Sequence, residues 1–233
     1  MNNDLSVGIV IFPGSNCDRD TISAISSLGA SPVVLDYRLR SLPVLDRVIL
    51  PGGFSYGDYL RSGALAAAAP IMDAVEKAAA DGMPVLGICN GFQILCERGL
   101  LPGALLPNPG GEFICQWQTV RVASESPLFT GLDQGRVLRL PIAHHEGSYR
   151  VTQGQLAELF ERGQVFLQYS DPEGQLHGLA NPNGSVANIA GVKNHNVVGL
   201  MPHPERAMAP YLGSRDGADF LASWLGMGEN VVC

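Results

Sequence analysis

Charged residues are scarce in this sequence, and basic ones are scarcest. Only 16% of the 233 residues are charged, and 15 Lys and Arg against 22 Asp and Glu give a formal net charge of −7. Proteins that bind nucleic acid or anionic membranes carry clusters of Lys and Arg, and no such cluster occurs here. We therefore expect neither nucleic acid nor a membrane as a partner.

Long apolar runs are missing too. The apolar stretch near residues 64–72 contains Pro70 and ends at Asp73, whereas a membrane-spanning helix needs roughly 20 apolar residues. No Lys or Arg precedes the first apolar stretch, which is broken at Pro13 and Gly14. Because a signal peptide has a basic start and a longer apolar region, we expect none and predict a cytoplasmic protein.

Cysteines are few and form no C-x-x-C pair. An odd, scattered set predicts reduced thiols and neither a disulfide framework nor a zinc site. The five are Cys17, Cys89, Cys96, Cys115 and Cys233. We expect Cys96, Cys115 and Cys233 to be structural.

Glycine and proline, by contrast, number 28 and 16, which indicates many tight turns within a single domain over residues 1–233.

Short apolar runs alternate with helical patterns through the first hundred residues. The runs lie at 5–12, 32–36, 47–50 and 84–88, and we expect Asn16 or Asp18 to cap the first helix. Pro70 interrupts a second helical stretch over 64–80, and Gly99 closes a third helix. Strands alternating with helices predict a parallel sheet with right-handed crossovers.

The pattern changes beyond residue 101. Shorter runs at 113–122, 137–142, 165–169, 176–180 and 186–192 are typical of antiparallel strands. A buried strand at 197–201 and a helix near 217–225 follow. The sequence thus predicts an α/β fold, a three-layer sandwich whose mainly parallel central sheet is flanked by helices, plus a smaller antiparallel group in the second half.

A cysteine stands where a buried strand turns directly into a helix. Cys89 is flanked by Gly87 and Gly91, and small residues at these positions let a strand and a helix cross closely at a nucleophile elbow. The helix N-terminus beyond Cys89 stabilises a thiolate, the nucleophilic form. A buried structural cysteine is the alternative, and the two glycines disfavour it.

A thiolate nucleophile needs a base and an orienting group. His203 follows a buried strand, and Glu205 projects to the same side, so this pair is the best candidate. A His-Pro turn with a surface Glu is nearly as good an interpretation of this segment alone. His144 and His145 are a rival pair, but adjacent side chains in an extended segment diverge, which disfavours a metal site.

Backbone N–H groups complete the candidate site. Gly52 and Gly53 follow the third strand at the same sheet edge as Cys89, and the N–H of Asn90 comes directly after the nucleophile. Such donors stabilise a developing oxyanion. A glycine pair after a strand is also common as a simple tight turn. Phosphate-binding glycine motifs are absent from the sequence, which argues against a nucleotide site.

Together these segments resemble the class I, or triad, glutamine amidotransferases. The resemblance rests on Gly87-x-Cys89-x-Gly91-x-Gln93, Pro51-Gly52-Gly53 and Pro202-His203-Pro204-Glu205. The segments 13–18 (PGSNCD), 52–61 (GGFSYGDYLR) and 201–207 (MPHPERA) narrow it to the glutaminase subunits of phosphoribosylformylglycinamidine synthases. The similarity extends over nearly the whole chain.

The resemblance implies catalytic roles for Cys89, His203 and Glu205, oxyanion donors near Gly53 and Asn90, and a glutamine-seating role for Gln93. It also implies glutamine as substrate, a large synthetase subunit and a small bridging subunit as partners, and a place in purine biosynthesis. No cofactor is expected in this chain, because the resemblance implies that ATP and Mg²⁺ bind to the synthetase subunit. The segment 113–117 also resembles the family and is expected to border either the substrate or a partner.

Three alternatives remain at this point. One is another class I amidotransferase, and a second is a cysteine hydrolase or stress protein that shares the elbow but lacks the terminal His-Pro-Glu arrangement. The third is a non-catalytic subunit that keeps the fold. The intact Cys89, His203 and Glu205 favour an active glutaminase over the last two.

Overall fold

The structure is a computed structural model, and it describes residues 5–227. The strands are β1 (Ser6–Ile11), β2 (Ser31–Asp36), β3 (Arg47–Leu50), β4 (Val85–Ile88), β5 (Ala104–Leu106), β6 (Ile114–Val122), β7 (Val137–His144), β8 (Ser148–Arg150), β9 (Val165–Ser170), β10 (Ile189–Asn194) and β11 (Val197–Leu200). The helices are α1 (Asp18–Ser27), α2 (Ala64–Ala67), α3 (Pro70–Ala80), α4 (Asn90–Glu97), α5 (Gln153–Glu161) and α6 (Asp216–Trp224).

One nine-stranded sheet organises the fold, with the strand order β2-β1-β3-β4-β11-β10-β9-β6-β7. The first five strands in this order are parallel, and the last four pair antiparallel. The predicted α/β class and mainly parallel central sheet are confirmed. Most of the predicted antiparallel strands continue this sheet, while β5 and β8 form a separate antiparallel pair.

The central strands are buried because their residues are apolar on both faces. Every residue of β4 and β11 is buried, as are the middle four residues of β1. Continuous apolar runs of this kind are typical of parallel strands covered by helices on both faces. Burial of these strands fixes their ends, and therefore fixes the positions of the residues that follow them.

The strand order reverses next to β1, and this reversal creates a crevice. The chain moves from β1 outward to β2, then returns to β3 on the other side of β1 and continues to β4. Crossovers between parallel strands are right-handed as a rule, which predicts α1 on one face of the sheet and α2 and α3 on the other. In such sheets ligands bind in the crevice beyond the carboxyl ends of the strands at the reversal.

Two predicted elements differ from the structure. The run at 176–180 is not a strand, because it ends in a 3₁₀ turn at Gly178–Ala180 and the side chain of Leu179 is 97% exposed. In the run at 186–192, Val186–Asn188 is a 3₁₀ turn, with positive φ at Ala187 and Asn188, and the strand begins only at Ile189. Both errors arise from apolar residues that lie in turns.

Two helix boundaries add detail. Pro70 is the first residue of α3 and separates it from α2, as its missing N–H favours. Neither Asn16 nor Asp18 caps α1: the N-cap position is Cys17, and no side chain accepts a hydrogen bond there. The predicted capping role is therefore wrong.

Among residues 5–227, no helix is long and apolar enough to cross a membrane. Cys233 lies outside the described residues.

Candidate active site

Cys89 lies at a strained turn between β4 and α4. Its backbone has φ 49° and ψ −103°, an unfavourable conformation for a residue with a side chain. An added Cβ at Gly87 would lie 2.7 Å from the backbone of Gly91, and one at Gly91 would overlap the backbone of Leu50. The glycines are therefore required for the close crossing of strand and helix, as the elbow motif predicts.

His203 and Glu205 form a buried hydrogen-bonded pair. The Nδ1 atom of His203 lies 2.6 Å from Oε1 of Glu205, and the two residues are 1% and 4% exposed. The backbone N–H of His203 also donates to the carbonyl of Pro141, at 2.8 Å. The alternative of a surface Glu beside a His-Pro turn is thus excluded by the geometry, because Glu205 is inside the protein.

Opposing effects act on the pKa of His203. Burial alone lowers it, but the carboxylate of Glu205 and the nearby sulfur of Cys89 raise it, and the net pKa lies well above the usual value. Since Glu205 holds Nδ1, the imidazole has its Nε2 atom left for proton exchange. That Nε2 atom is buried and has no hydrogen-bond partner among the described residues. The ring is oriented as a base in a triad requires.

Backbone groups at the end of β3 lie against the same histidine. A Cβ at Gly52 would lie 2.7 Å from Cε1 of His203 and 3.0 Å from Sγ of Cys17, so only glycine fits there. Gly53 has φ +151° and is held in a bridge with Ser15. The loops after β1 and β3 therefore pack together at the predicted sheet edge, with Gly53 lining the cavity beside Cys89.

The first turn of α4 supplies the second predicted donor. Asn90 is the first helical residue, where N–H groups lack partners within the helix. Its side chain accepts the Ser55 N–H at 3.2 Å and donates to Oε1 of Gln93 at 2.9 Å. Gln93 in turn donates to the carbonyl of Glu146 at 2.6 Å. Asn90 and Gln93 thus brace the elbow against two neighbouring loops.

A cavity of about 160 Å³ opens beside the nucleophile. Cys89, Gly53 and Gln93 line it together with Asp58 and Glu146. The sequence patterns indicated no role for Asp58 or Glu146. The signal that could have found Asp58 is the segment 52–61, which the family resemblance marked. The volume suits a small substrate rather than a polymer.

The segment around 113–117 borders this cavity through one aromatic contact. Phe54 lines the cavity, and its ring centroid lies 6.3 Å from that of Phe113. Both rings are partly exposed, at 41% and 49% of their surface. Phe113 therefore extends the rim of the cavity toward solvent.

The adjacent histidines diverge, as extended backbone requires. His144 is buried, and its Nε2 atom lies 3.4 Å from the side-chain nitrogen of Asn183, whereas His145 is exposed, with Nε2 3.1 Å from the Gly111 carbonyl. Burial, followed by the charge of nearby His203, lowers the pKa of His144 to about 4. At neutral pH His144 is therefore an uncharged neighbour of the candidate base.

Cys17 and Arg206 lie close to His203 as well, and the sequence patterns indicated no role for either. The Nη2 atom of Arg206 lies 3.0 Å from Sγ of Cys17, and Cys17 is almost fully buried. These residues are 189 positions apart in sequence, so no local pattern indicates their contact. The flanking PGSNCD and HPER segments were the available signal, since both were part of the resemblance.

Cys17, His203 and Glu205 are also the one group among the described residues with metal-ligand spacing. Their ligand atoms lie within 4.8 Å of one another. The guanidinium of Arg206 on Cys17 and the hydrogen bond between His203 and Glu205 already engage all three side chains. The positive charge of Arg206 beside the Cys17 thiol disfavours a cation there. The arrangement suits proton transfer better than metal binding.

An elbow cysteine and a buried His-Glu pair at one sheet edge are the arrangement typical of thiol-dependent hydrolases of the triad class. A family model, the CobB/CobQ-like glutamine amidotransferase domain, matches residues 4–231. The chain belongs to this glutamine amidotransferase family and, within it, to the PurQ subunits of phosphoribosylformylglycinamidine synthases.

Individual relatives support that placement. The PurQ subunit of Thermomicrobium roseum is 54% identical over 228 residues, covering 96% of this chain and 97% of that protein. The PurQ subunit of Chlorobium luteolum is 51% identical over 224 residues, covering 94% and 97%. A solved structure of PurLQS from Thermotoga maritima includes a chain with 42% identity and a TM-score of 0.84, covering 96% of this chain and 98% of that one.

Proposed function

We propose that this chain hydrolyses glutamine for a phosphoribosylformylglycinamidine synthase, and that Cys89, His203 and Glu205 perform the reaction. One observation carries the proposal: Cys89 lies at a strained elbow and lines a cavity, and its sulfur is near the buried His203, whose Nδ1 lies 2.6 Å from Oε1 of Glu205. About 50% identity to PurQ subunits over nearly the whole chain supports the same activity.

The first half-reaction forms a thioester. The Cys89 thiol gives its proton to Nε2 of His203, and its sulfur attacks the side-chain amide carbon of glutamine. The N–H groups near Gly53 and Asn90 stabilise the oxyanion. His203 then donates a proton from Nε2 to the leaving nitrogen, which departs as ammonia. Glu205 keeps Nδ1 engaged, so the imidazolium that forms is stabilised and correctly oriented.

The second half-reaction releases glutamate. His203 removes a proton from water, which attacks the glutamyl thioester, and the Cys89 sulfur leaves and regains its proton. The two steps need only a nucleophile, a base and oxyanion donors, so we propose that this chain uses no cofactor. The ATP and Mg²⁺ of the overall synthesis act on a separate synthetase subunit in this proposal.

The loop beside the cavity carries exposed side chains that suit a partner surface. Tyr59 and Leu60 follow Asp58 on the loop beside the cavity, and their side chains are 74% and 84% exposed. Exposed apolar side chains next to an active site are typical of a partner surface. We propose a large synthetase subunit and a small bridging subunit as the partners, a cytoplasmic location, and one amidotransferase domain over residues 1–233.

Labelling by the glutamine analogue diazo-oxo-norleucine tests the proposal. The purified chain, alone and mixed with synthetase and bridging subunits, is treated with the analogue, and the modified peptide is identified by mass spectrometry. We expect one label per chain, at Cys89, with protection by excess glutamine and release of glutamate in untreated samples. Labelling elsewhere, or no glutamate in either setting, would contradict the proposal. Equal labelling without glutamine protection would favour a hydrolase for other substrates.

A further inference from the structure

The cavity beside Cys89 is lined by acidic rather than basic side chains. Asp58 and Glu146 contribute carboxyl groups, and no Lys or Arg is among the described residues that line it. Glutamine carries an ammonium group and a carboxylate at its far end, away from the amide that Cys89 attacks. The lining therefore favours the ammonium group of such a substrate over the carboxylate.

Asp58 has an oxygen atom with nothing to bind. Its Oδ1 atom is buried and has no hydrogen-bond partner among the described residues. Burial, the largest effect, and the nearby charge of Glu146 raise the pKa of Asp58, while Ser62 and His145 act in the opposite direction. An unpartnered buried carboxylate oxygen is unfavourable, and a positively charged donor from a ligand would relieve it.

Glu146, the other acidic residue of the lining, is already engaged. Its side-chain carboxylate accepts the backbone N–H of Ser62 at 3.2 Å, and its backbone carbonyl accepts the side-chain amide of Gln93 at 2.6 Å. These contacts tie Glu146 to two walls of the cavity. Of the two carboxyl groups, only that of Asp58 has a buried oxygen without a hydrogen-bond partner among the described residues.

The loop that carries Asp58 is held in a strained conformation. Tyr56, Asp58 and Leu60 all have positive φ, at 54°, 54° and 72°. The loop is fixed by the Tyr56 N–H on the Pro13 carbonyl, at 2.6 Å, and by the Ser55 N–H on the Asn90 side chain. Backbone strain of this kind persists where surrounding contacts enforce it, and it is concentrated at functional sites. Here the loop that carries Asp58 is tied, through Ser55, to Asn90 at the start of the helix that follows Cys89.

We propose that Asp58 is a specificity-determining residue that binds the α-ammonium group of glutamine. The Oδ1 atom accepts a charge-assisted hydrogen bond from that group, which orients the substrate with its amide toward Cys89. This inference rests on the proposed glutaminase activity and adds the recognition of the amino end. It predicts that an otherwise identical amide without the amino group is a poor substrate.

Substrate comparison tests the assignment. The wild type and Asp58→Asn, which keeps the size of the side chain but removes its charge, are assayed in complex with the synthetase subunits. The substrates are L-glutamine and glutaramate, which keeps the amide and the carboxylate but lacks the amino group. Asp81→Asn is the matched control, because Asp81 is exposed and does not line the cavity. Glutamate and glutarate are measured by mass spectrometry.

We expect Asp58→Asn to lower kcat/KM for glutamine by about 10- to 100-fold, the range for a hydrogen bond to a charged group. The loss should be mainly in KM, with kcat/KM for glutaramate unchanged within about twofold. Asp81→Asn should behave as the wild type. Should Asp58→Asn fail to fold by circular dichroism, Asp58→Ser takes its place.

Three outcomes would overturn the assignment while leaving the proposed function standing. The first is a wild type that hydrolyses glutamine and glutaramate equally well. The second is a folded Asp58 variant that keeps the wild-type preference for glutamine, and the third is a folded variant that loses activity on both substrates in parallel through kcat. A wild-type complex that produces no glutamate at all would instead contradict the proposed function.

Discussion

Gly91 lies so close to the carbonyl group of Leu50 that an added methyl group would overlap it. This contact joins the first turn of α4 to the end of β3, the two places from which the proposed oxyanion donors come. The elbow geometry of Cys89 therefore depends on the absence of a side chain two residues later. A change at Gly91 moves the nucleophile relative to Gly53.

Gly91→Ala should both destabilise the protein and reduce glutamine hydrolysis. Overpacking of a core contact costs roughly 1–3 kcal/mol in the free energy of unfolding, and the displaced helix start misplaces Cys89. Urea unfolding and initial glutaminase rates measure the two effects. Gly154→Ala is the control, since a Cβ there meets nothing within 4 Å and Ala favours helix α5. Wild-type stability and rate in Gly91→Ala would contradict this explanation.

Glu205→Gln should reduce kcat by roughly 10²- to 10⁴-fold, the usual range for general acid–base catalysis. The amide keeps the size of Glu205 but no longer stabilises the protonated ring, so the pKa of His203 falls because burial then dominates. Nuclear magnetic resonance titration of the His203 ring and steady-state kinetics check both effects. Glu158→Gln, an exposed change on α5, should alter neither. A wild-type kcat in Glu205→Gln would contradict the orienting role.

His144 should make the protein sensitive to mild acid. Its pKa is about 4 in the folded protein, against about 6.5 in an unfolded chain. The unfolded state therefore binds the proton first as pH falls. The stability that neutral His144 contributes to the folded protein is complete above about pH 6.5. It is lost between about pH 6.5 and 4, by up to roughly 3 kcal/mol.

The test of His144 compares urea unfolding at pH 7.5 and pH 4.5. His144→Gln should lose less stability between the two values than the wild type does, whatever its stability at pH 7.5. His145→Gln, a change at the exposed neighbour, should lose as much as the wild type. Equal acid sensitivity in wild type and His144→Gln would show that His144 does not carry the effect.

Thiol reactivity should separate the cysteines by environment. Cys115 is exposed, whereas burial raises the pKa of the Cys96 thiol well above its usual value. Because the thiolate is the reactive form, iodoacetamide at pH 8 should modify Cys115 and leave Cys96 unmodified until the protein unfolds. Peptide mass spectrometry follows each site, and Cys115→Ser should keep full glutaminase activity. Rapid native labelling of Cys96 would contradict the raised pKa of its thiol.

Local sequence patterns predicted the parts of this protein that depend on neighbours along the chain. Apolar runs bounded by glycine indicated β4 and α4, and the spacing of Gly87, Cys89 and Gly91 indicated the elbow between them. The placement of His203 after a buried strand followed from the same logic, because the carboxyl ends of parallel strands share one edge.

Contacts between distant segments could not be predicted in this way. Arg206 meets Cys17 only because β1 and β11 end at the same edge of the sheet. Asp58 lines the cavity because its loop has positive φ at residues that rarely adopt such angles. Leu179 was misassigned to a strand because a local pattern cannot show that an apolar side chain faces solvent.

The most direct test of the central claim is the nitrogen source that the assembled complex can use. Cys89→Ala is combined with the synthetase and bridging subunits, and synthesis of the amidine product is measured with glutamine and, separately, with ammonium chloride. We predict that synthesis from glutamine is abolished while synthesis from ammonium stays at the wild-type rate. Undiminished synthesis from glutamine in the Cys89→Ala complex would contradict the account.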